Sequence, residues 1–267
     1  MPSSLTFNCA IVTGGAGGLG RGIAEYLLKA GKKVILVGRT ESKLEKTHKE
    51  IGSAGYYVLD TGDVDSDAIA KFVAQVTEEH PDVDCLINNA GIQKPLFATK
   101  MAPEDFMRLG TSEMNINIRG PIALALHMLP HLKSKQNPCI MNVTSGLAYV
   151  PVLASCPVYC ATKAFMHSFT MNLRTQLEFD DSTKHINVIE IVPPQVESDL
   201  HRDHSDPDNN KRTKSPTSMS LEAFIADVAE GWEAGDTTVA AGMAKMGVKA
   251  WFKQFGEIYE QRKKMDA

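Results

Sequence analysis

What the chain lacks narrows its class before any motif is read. Its apolar runs stay short, residues 121–126 among them, far below the roughly 20 residues that a membrane-spanning helix needs. Neither sign of charge dominates: 28 Lys and Arg stand against 32 Asp and Glu, a formal net charge of −4. A nucleic-acid or anionic-membrane binder would carry a basic excess, so neither partner is expected. Cysteine is scarce, five residues (Cys9, Cys85, Cys139, Cys156 and Cys160), odd in number and without a C-x-x-C pair. That excludes a disulfide framework and a cysteine zinc site, and points to reduced thiols in a cytoplasmic protein. Residues 1–4 show no basic stretch followed by an apolar one, so no signal peptide is expected. No repeat and no linker composition interrupts the 267 residues, which suit one domain over 1–267.

Short β-branched runs alternate with longer helical patterns, and Gly, Pro, Asp or Asn marks most junctions. The pattern predicts strands over residues 8–13, 33–37, 55–60, 84–88, 139–144, 185–192 and 237–242. Helices are predicted over 18–30, 41–51, 66–79, 103–135 with a break near Gly110, 157–179, 221–233 and 249–264. Parallel neighbours cannot be joined by a tight turn, so strands separated by such helices imply βαβ crossovers. The expected fold is α/β, a doubly wound parallel sheet of the Rossmann kind with about seven strands and helices on both faces. Residues 201–220 break the rhythm, being polar with almost no apolar anchor. A loop that long is either solvated or a functional lid. Together with the next helix it gives a substrate loop and helix region over 193–235. Trp251, Phe252, Phe255, Ile258 and Tyr259 form an aromatic-rich stripe on the last helix, expected to be core or subunit interface.

Directly after the first strand, Thr13-Gly14-Gly15-Ala16-Gly17-Gly18-Leu19-Gly20 opens the first helix, with five glycines among residues 14–20. Such a turn lets backbone amides approach a pyrophosphate at a helix N-terminus. An ordinary tight turn is the alternative; strand before, helix after and βαβ context favour a dinucleotide site. Arg39 ends the second strand, where an acidic residue would accept hydrogen bonds from the adenosine ribose and repel a 2′-phosphate. Its guanidinium fits phosphate, so NADP(H) is preferred over NAD(H). Tyr159 and Lys163 stand four apart on one helical face. A phenol of pKa about 10 is a poor acid at neutral pH. An ammonium about 4 Å away at an effective dielectric near 20 is worth about 4 kcal/mol, some three pKa units, which would activate it.

With these motifs in order, the sequence resembles the short-chain dehydrogenase/reductase family from residue 9 to about residue 200. Gly14, Gly18, Leu19 and Gly20 match its cofactor loop, Asn88-Asn89-Ala90-Gly91 its fourth-strand motif, and Tyr159-x-x-x-Lys163 its reacting pair. Asn117 falls at its active-site asparagine and Ser145 at the serine ending the fifth strand. The resemblance implies an NADP(H)-dependent interconversion of a carbonyl compound and its secondary alcohol. In it Tyr159 is the acid or base, Ser145 orients the carbonyl, and Lys163 holds the nicotinamide ribose. Asn117 anchors a relay water, and Asn89 touches the adenosine ribose. Asp60 or Asp63 would contact adenine, Asp60 being preferred because it ends the third strand. Val196 and Ser198 would contact the nicotinamide end. A homodimer or homotetramer and a small-molecule substrate are implied, and no metal. Pro194 stands where the family has glycine, and Ser145 and Tyr159 lie one residue further apart than usual. Leu147, Tyr149, Val150, Val152 and Leu153 hint at a partly hydrophobic substrate. The alternative is a catalytically silent member that binds NADP(H) as a structural or regulatory ligand.

Overall fold

The β-branched runs become strands and the helical patterns between them become helices, in the order the periodicity predicts. The computed structural model describes residues 3–263; Met1, Pro2 and Lys264, where the last predicted helix ends, lie outside the described residues. The first half runs β1 (Cys9–Thr13), α1 (Gly18–Lys29), β2 (Lys33–Gly38), α2 (Glu41–Ile51), β3 (Gly55–Val58), α3 (Ala68–Glu79) and β4 (Val83–Asn88). The second runs α4 (Pro103–Met114), a π-helical turn (Asn115–Arg119), α5 (Gly120–Leu132), β5 (Cys139–Val143), α6 (Pro157–Glu178) and β6 (Asn187–Val192). It closes with α7 (Leu221–Ala234), β7 (Thr238–Ala240) and α8 (Ala244–Arg262).

All pairings are parallel, in the order β3-β2-β1-β4-β5-β6-β7. Successive side chains of a strand point to opposite faces, so each strand supplies two cores. Ala10 and Val12 pack with α1, α2 and α7 through Ile23, Leu27, Leu44, Phe224 and Trp232. Cys9 and Ile11 pack with α3, α5 and α6 through Phe72, Val76, Leu124, Met128 and Leu173. The chain reverses its direction of winding between β1 and β4, and there the carboxyl ends of the strands open a crevice.

The predicted break in the long helix near Gly110 falls elsewhere. Gly110 lies inside α4, where a Cβ would meet Val158 of α6 at 3.5 Å, so its small size serves packing. The regular helix instead gives way at Asn115–Arg119. Pro121, which has no N–H, removes a donor just beyond that turn. Gly120 meanwhile presses so closely on the β3–α3 connection that a Cβ would stand 2.2 Å from the Thr61 carbonyl. Other differences are small: β3 ends two residues early, α3 begins after a Ser66 turn, and α8 begins five residues before the predicted start. The stripe on α8 divides. Trp251 sets its edge on His167 and Tyr149, whereas Phe255 and Ile258 are exposed.

Candidate active site

The glycine turn leaves β1 at Thr13 and is fastened to β4 before it meets any ligand. Thr13 Oγ1 accepts from the Asn89 and Ala90 amides at 2.9 and 3.0 Å, and Asn89 Nδ2 donates to the Thr13 carbonyl at 2.8 Å. Gly14 takes a left-handed φ of 65°, and a Cβ there would stand 2.9 Å from Asn89 Nδ2. A Cβ on Gly20 would lie 2.3 Å from the Gly14 carbonyl, so only glycine lets helix and turn close together. Gly17 differs: a Cβ would meet nothing within 4 Å, which leaves open space above the α1 N-terminus.

That space is one end of a cleft of about 650 Å³. Gly14, Gly18, Leu19, Arg39, Asn89, Ser145, Tyr159, Lys163, Val196 and Ser198 all line it. Thus residues from six separate segments of chain meet where the motifs require. Asp60 does not line it: its carboxylate accepts from the Gly62 amide at 2.9 Å, and the wall is made by Leu59 and Thr61. Asp63 instead accepts from Ser66. Asn117 also stands behind the wall, its amide paired to Ile92 N and O at 2.9 Å each.

Pro157, at the start of α6, opens the helix that carries Tyr159 and Lys163, and four-residue spacing puts them on one face. Both are buried to 5% exposure. Lys163 Nζ donates to the Val143 carbonyl at 2.9 Å and sits 5.6 Å from the Tyr159 ring centre. Burial pushes the Lys163 ammonium down to about 8, partly opposed by Glu113. Tyr159 moves the opposite way from the sequence argument. Burial raises the phenol above its ordinary value, Glu113 adds to this, and the facing Ser145 hydroxyl pulls it back. Removing phenolate and ammonium from water disfavours both charged forms.

Several contributors escaped the sequence reading. Lys43, one turn into α2, joins Arg39 at the cleft, and both are exposed. Glu190 lies fully buried in β6 and accepts from Thr144 Oγ1 and Tyr149 OH at 2.7 Å each. His167 Nδ1 stands 3.0 Å from the same carboxylate. Thr144 and Tyr149 bracket the turn that carries Ser145, so this carboxylate fixes the serine's support. A charge within an otherwise apolar strand was the available signal. The Pro193 carbonyl accepts from Gly146 at 2.8 Å, and Pro194 fits because it faces Gly242, where a Cβ would stand 3.3 Å from its ring.

Residues 201–220 fold over this end through polar anchors. Asn210 Nδ2 donates to the Ser198 carbonyl at 3.0 Å, Gln195 Nε2 donates to Ser218 Oγ at 2.8 Å, and Lys94 pairs with Asp203 at 2.6 Å. A short parallel bridge joins Val196 to Met219.

The fold and this convergence define a dinucleotide-binding oxidoreductase scaffold, and comparison with known proteins gives its family. Residues 8–209 match the family described as short chain dehydrogenase, and the chain belongs to the short-chain dehydrogenase/reductase family. It is 34% identical over 258 residues, 96% of this chain and 97% of the relative, to uncharacterized oxidoreductase DltE of Bacillus subtilis (strain 168). A serine dehydrogenase in closed form, complexed with NADP+, is 26% identical with a TM-score of 0.72, covering 87% of this chain and 93% of that one. The 3-ketoacyl-(acyl-carrier-protein) reductase of Brucella melitensis, complexed with NADH, is also 26% identical with a TM-score of 0.72, covering 87% and 96%. No helix among the described residues is long and apolar enough to cross a membrane.

Glu113 supplies a test of this electrostatic picture. It is fully buried, its Oε1 accepts from the Lys94 amide at 3.0 Å, and burial pushes its carboxyl up to about 7. The folded protein therefore holds this proton up to about pH 7, whereas the unfolded carboxyl releases it near 4.5. Stability should fall as pH rises through that window, by about 3 kcal/mol from this group alone. In Glu113→Gln, which keeps the acceptor oxygen, urea unfolding should lose that part of the decline between pH 5 and 8. An unchanged pH profile would show that Glu113 ionises as freely as in water.

Proposed function

We propose that the protein interconverts a carbonyl compound and its secondary alcohol with NADP(H), Tyr159 serving as the acid and base. The observation that carries this reading is the meeting of Tyr159, Lys163 and Ser145 on the wall of the cleft whose other end is the glycine turn. The glycine turn fits a dinucleotide: its amides lie at a helix N-terminus, and among the described residues a Cβ on Gly17 would meet nothing within 4 Å beyond its chain neighbours. Gly14, Gly18 and Leu19 would hold the pyrophosphate, Gly20, which does not line the cleft, would let α1 close on the turn, and Asn89 would hold the adenosine ribose and Lys163 the nicotinamide ribose. Val196 and Ser198 would line the nicotinamide end, with Leu59 and Thr61 rather than Asp60 beside the adenine. When bound, the nicotinamide supplies or accepts the hydride.

The remaining steps belong to the protein. In reduction, Tyr159 donates its hydroxyl proton to the carbonyl oxygen as charge develops there, and Ser145 donates a hydrogen bond to that oxygen. Burial keeps the phenol protonated at neutral pH, which suits the donating role. The Lys163 ammonium stabilises the phenolate left behind. Asn117 has its amide committed to Ile92, so a relay water falls to its carbonyl, to which Pro121 brings no N–H. In oxidation each proton runs the other way.

The preference for NADP(H) rests on Arg39 and Lys43, since related structures carry both kinds of cofactor. Two exposed cations beside the β2 end favour a 2′-phosphate, and among the described residues no acidic side chain lines the cleft there.

Tyr159→Phe should lower NADPH-dependent turnover across a carbonyl panel by a factor on the order of 10²–10⁴, with NADPH affinity within about threefold of the parent. Turnover unaffected by this change, or no turnover in the parent, would favour the silent-member reading. Arg39→Asp should weaken NADPH binding by roughly tenfold or more, measured by fluorescence titration, and leave NADH nearly unchanged. Equal losses for both cofactors would reject the phosphate assignment.

A further inference from the structure

The last helix, α8, lies beyond residues 8–209 that match the family, yet its first turns press on the segment that carries Ser145. A Cβ on Gly146 would stand 3.1 Å from the Ala244 Cβ, and one on Gly247 would stand 3.4 Å from Tyr149 Cβ and Val150 Cγ2. Residues 244, 247 and 251 recur at steps of three and four, so a single face of α8 meets this turn. Trp251 completes that face. Its ring stands at 86° to the rings of His167 and Tyr149, with centres 5.2 and 6.4 Å away.

Beneath these rings lies the Glu190 carboxylate, which has no exposure to solvent. One oxygen accepts from Tyr149 OH at 2.7 Å and faces His167 Nδ1 at 3.0 Å; the other accepts from Thr144 Oγ1 at 2.7 Å. Thr144 and Tyr149 flank Ser145, so both sides of the serine are tied to one buried charge. The tie at Thr144 belongs to the sheet, since its amide also donates to the Ile191 carbonyl at 2.8 Å. The tie at Tyr149 depends on α8. Without Trp251, water reaches Tyr149 and His167 and competes with them for the carboxylate, and the hydrogen bonds lose the low dielectric that strengthens them.

We propose that α8 is a positioning element for the reaction: Trp251, acting through Tyr149, His167 and Glu190, holds the Ser145 hydroxyl where it donates to the carbonyl oxygen. This rests on the oxidoreductase reading of the cleft. Trp251 does not itself line the cleft, so its effect passes through the turn. A misplacement of about 1 Å in a group that orients a reacting atom costs on the order of 10²-fold in rate.

The test measures kcat and KM with NADPH for acetoin, cyclohexanone and ethyl acetoacetate, and NADPH affinity by fluorescence titration. Trp251→Leu should lower kcat by about tenfold or more and leave NADPH affinity within about threefold of the parent. Trp251→Phe, which keeps an aromatic ring over His167, should recover most of the loss. Tyr149→Phe removes only a hydroxyl, so it decides the matter where Trp251→Leu does not fold; its kcat should fall in the same way. In a Ser145→Ala background, Trp251→Leu and Tyr149→Phe should each change kcat by less than about twofold, because they act through the hydroxyl already removed. Equal losses with and without Ser145, full kcat in both single variants, or NADPH affinity that falls in step with kcat would each overturn the proposal. Turnover that requires Tyr159 but ignores Trp251 and Tyr149 sinks the role of α8 alone. Turnover that survives Tyr159→Phe, or is missing from the parent, sinks the oxidoreductase reading beneath it.

Discussion

A lysine ammonium held out of water at the carboxyl edge of the sheet sets the terms for its surroundings. Lys163 must find oxygen partners where the dielectric is low, and the last carbonyl of β5 supplies one. That bond docks α6 against the sheet and thereby fixes Tyr159 one turn earlier. The strand it binds continues into Thr144 and Ser145, which Glu190 steadies from β6. The charge of Lys163 is thus tied to the position of every proposed reacting group. Because burial lowers its hold on a proton to about 8, the ammonium is responsive to whatever enters the cleft.

Polar groups placed in the core carry much of the site's architecture. Asn88, Asn142 and Thr170 link β4, β5 and α6 by hydrogen bonds of 2.9 Å. Asn117 and Glu113 clamp the segment around Gln93. Each of these side chains makes at least one hydrogen bond to backbone or side chain, as low-dielectric burial requires, which makes the atoms that stay unpaired informative. Some of these, Gln93 Oε1 and Glu113 Oε2 among them, lie on residues beside the cleft or directly behind its wall.

Sequence and structure agree where local sterics decide the outcome. The glycine turn was legible because Gly14 and Gly20 meet backbone and Asn89 at distances no Cβ permits. Strand and helix order was legible because period and breakers coincide. Agreement fails where tertiary contacts decide. Gly110 looked like a helix breaker but is a packing site, while the disturbance belongs to Pro121 and the contact of Gly120 with Thr61. Residues 201–220 have almost no apolar anchor besides Met219, and Asn210, Gln195 and Lys94 hold them with hydrogen bonds and an ion pair that periodicity does not encode. The spacing of Tyr159 and Lys163 predicted a shared face correctly. It did not predict the sign of the phenol's shift, because burial of the pair is a property of the folded cleft.

That sign suits Tyr159 as the proton donor in reduction, whereas in oxidation its phenolate would need a further cation nearby, which oxidised nicotinamide would supply. With protein groups alone, the Tyr159 phenol stays above its ordinary value of 10.0. The most direct measurement is an ultraviolet difference titration of phenolate in the parent and in Tyr159→Phe, with and without saturating NADP+. A phenolate signal should ionise below pH 10 only with NADP+ present and should be missing in Tyr159→Phe. A parent titration that is identical with and without the cofactor would contradict it.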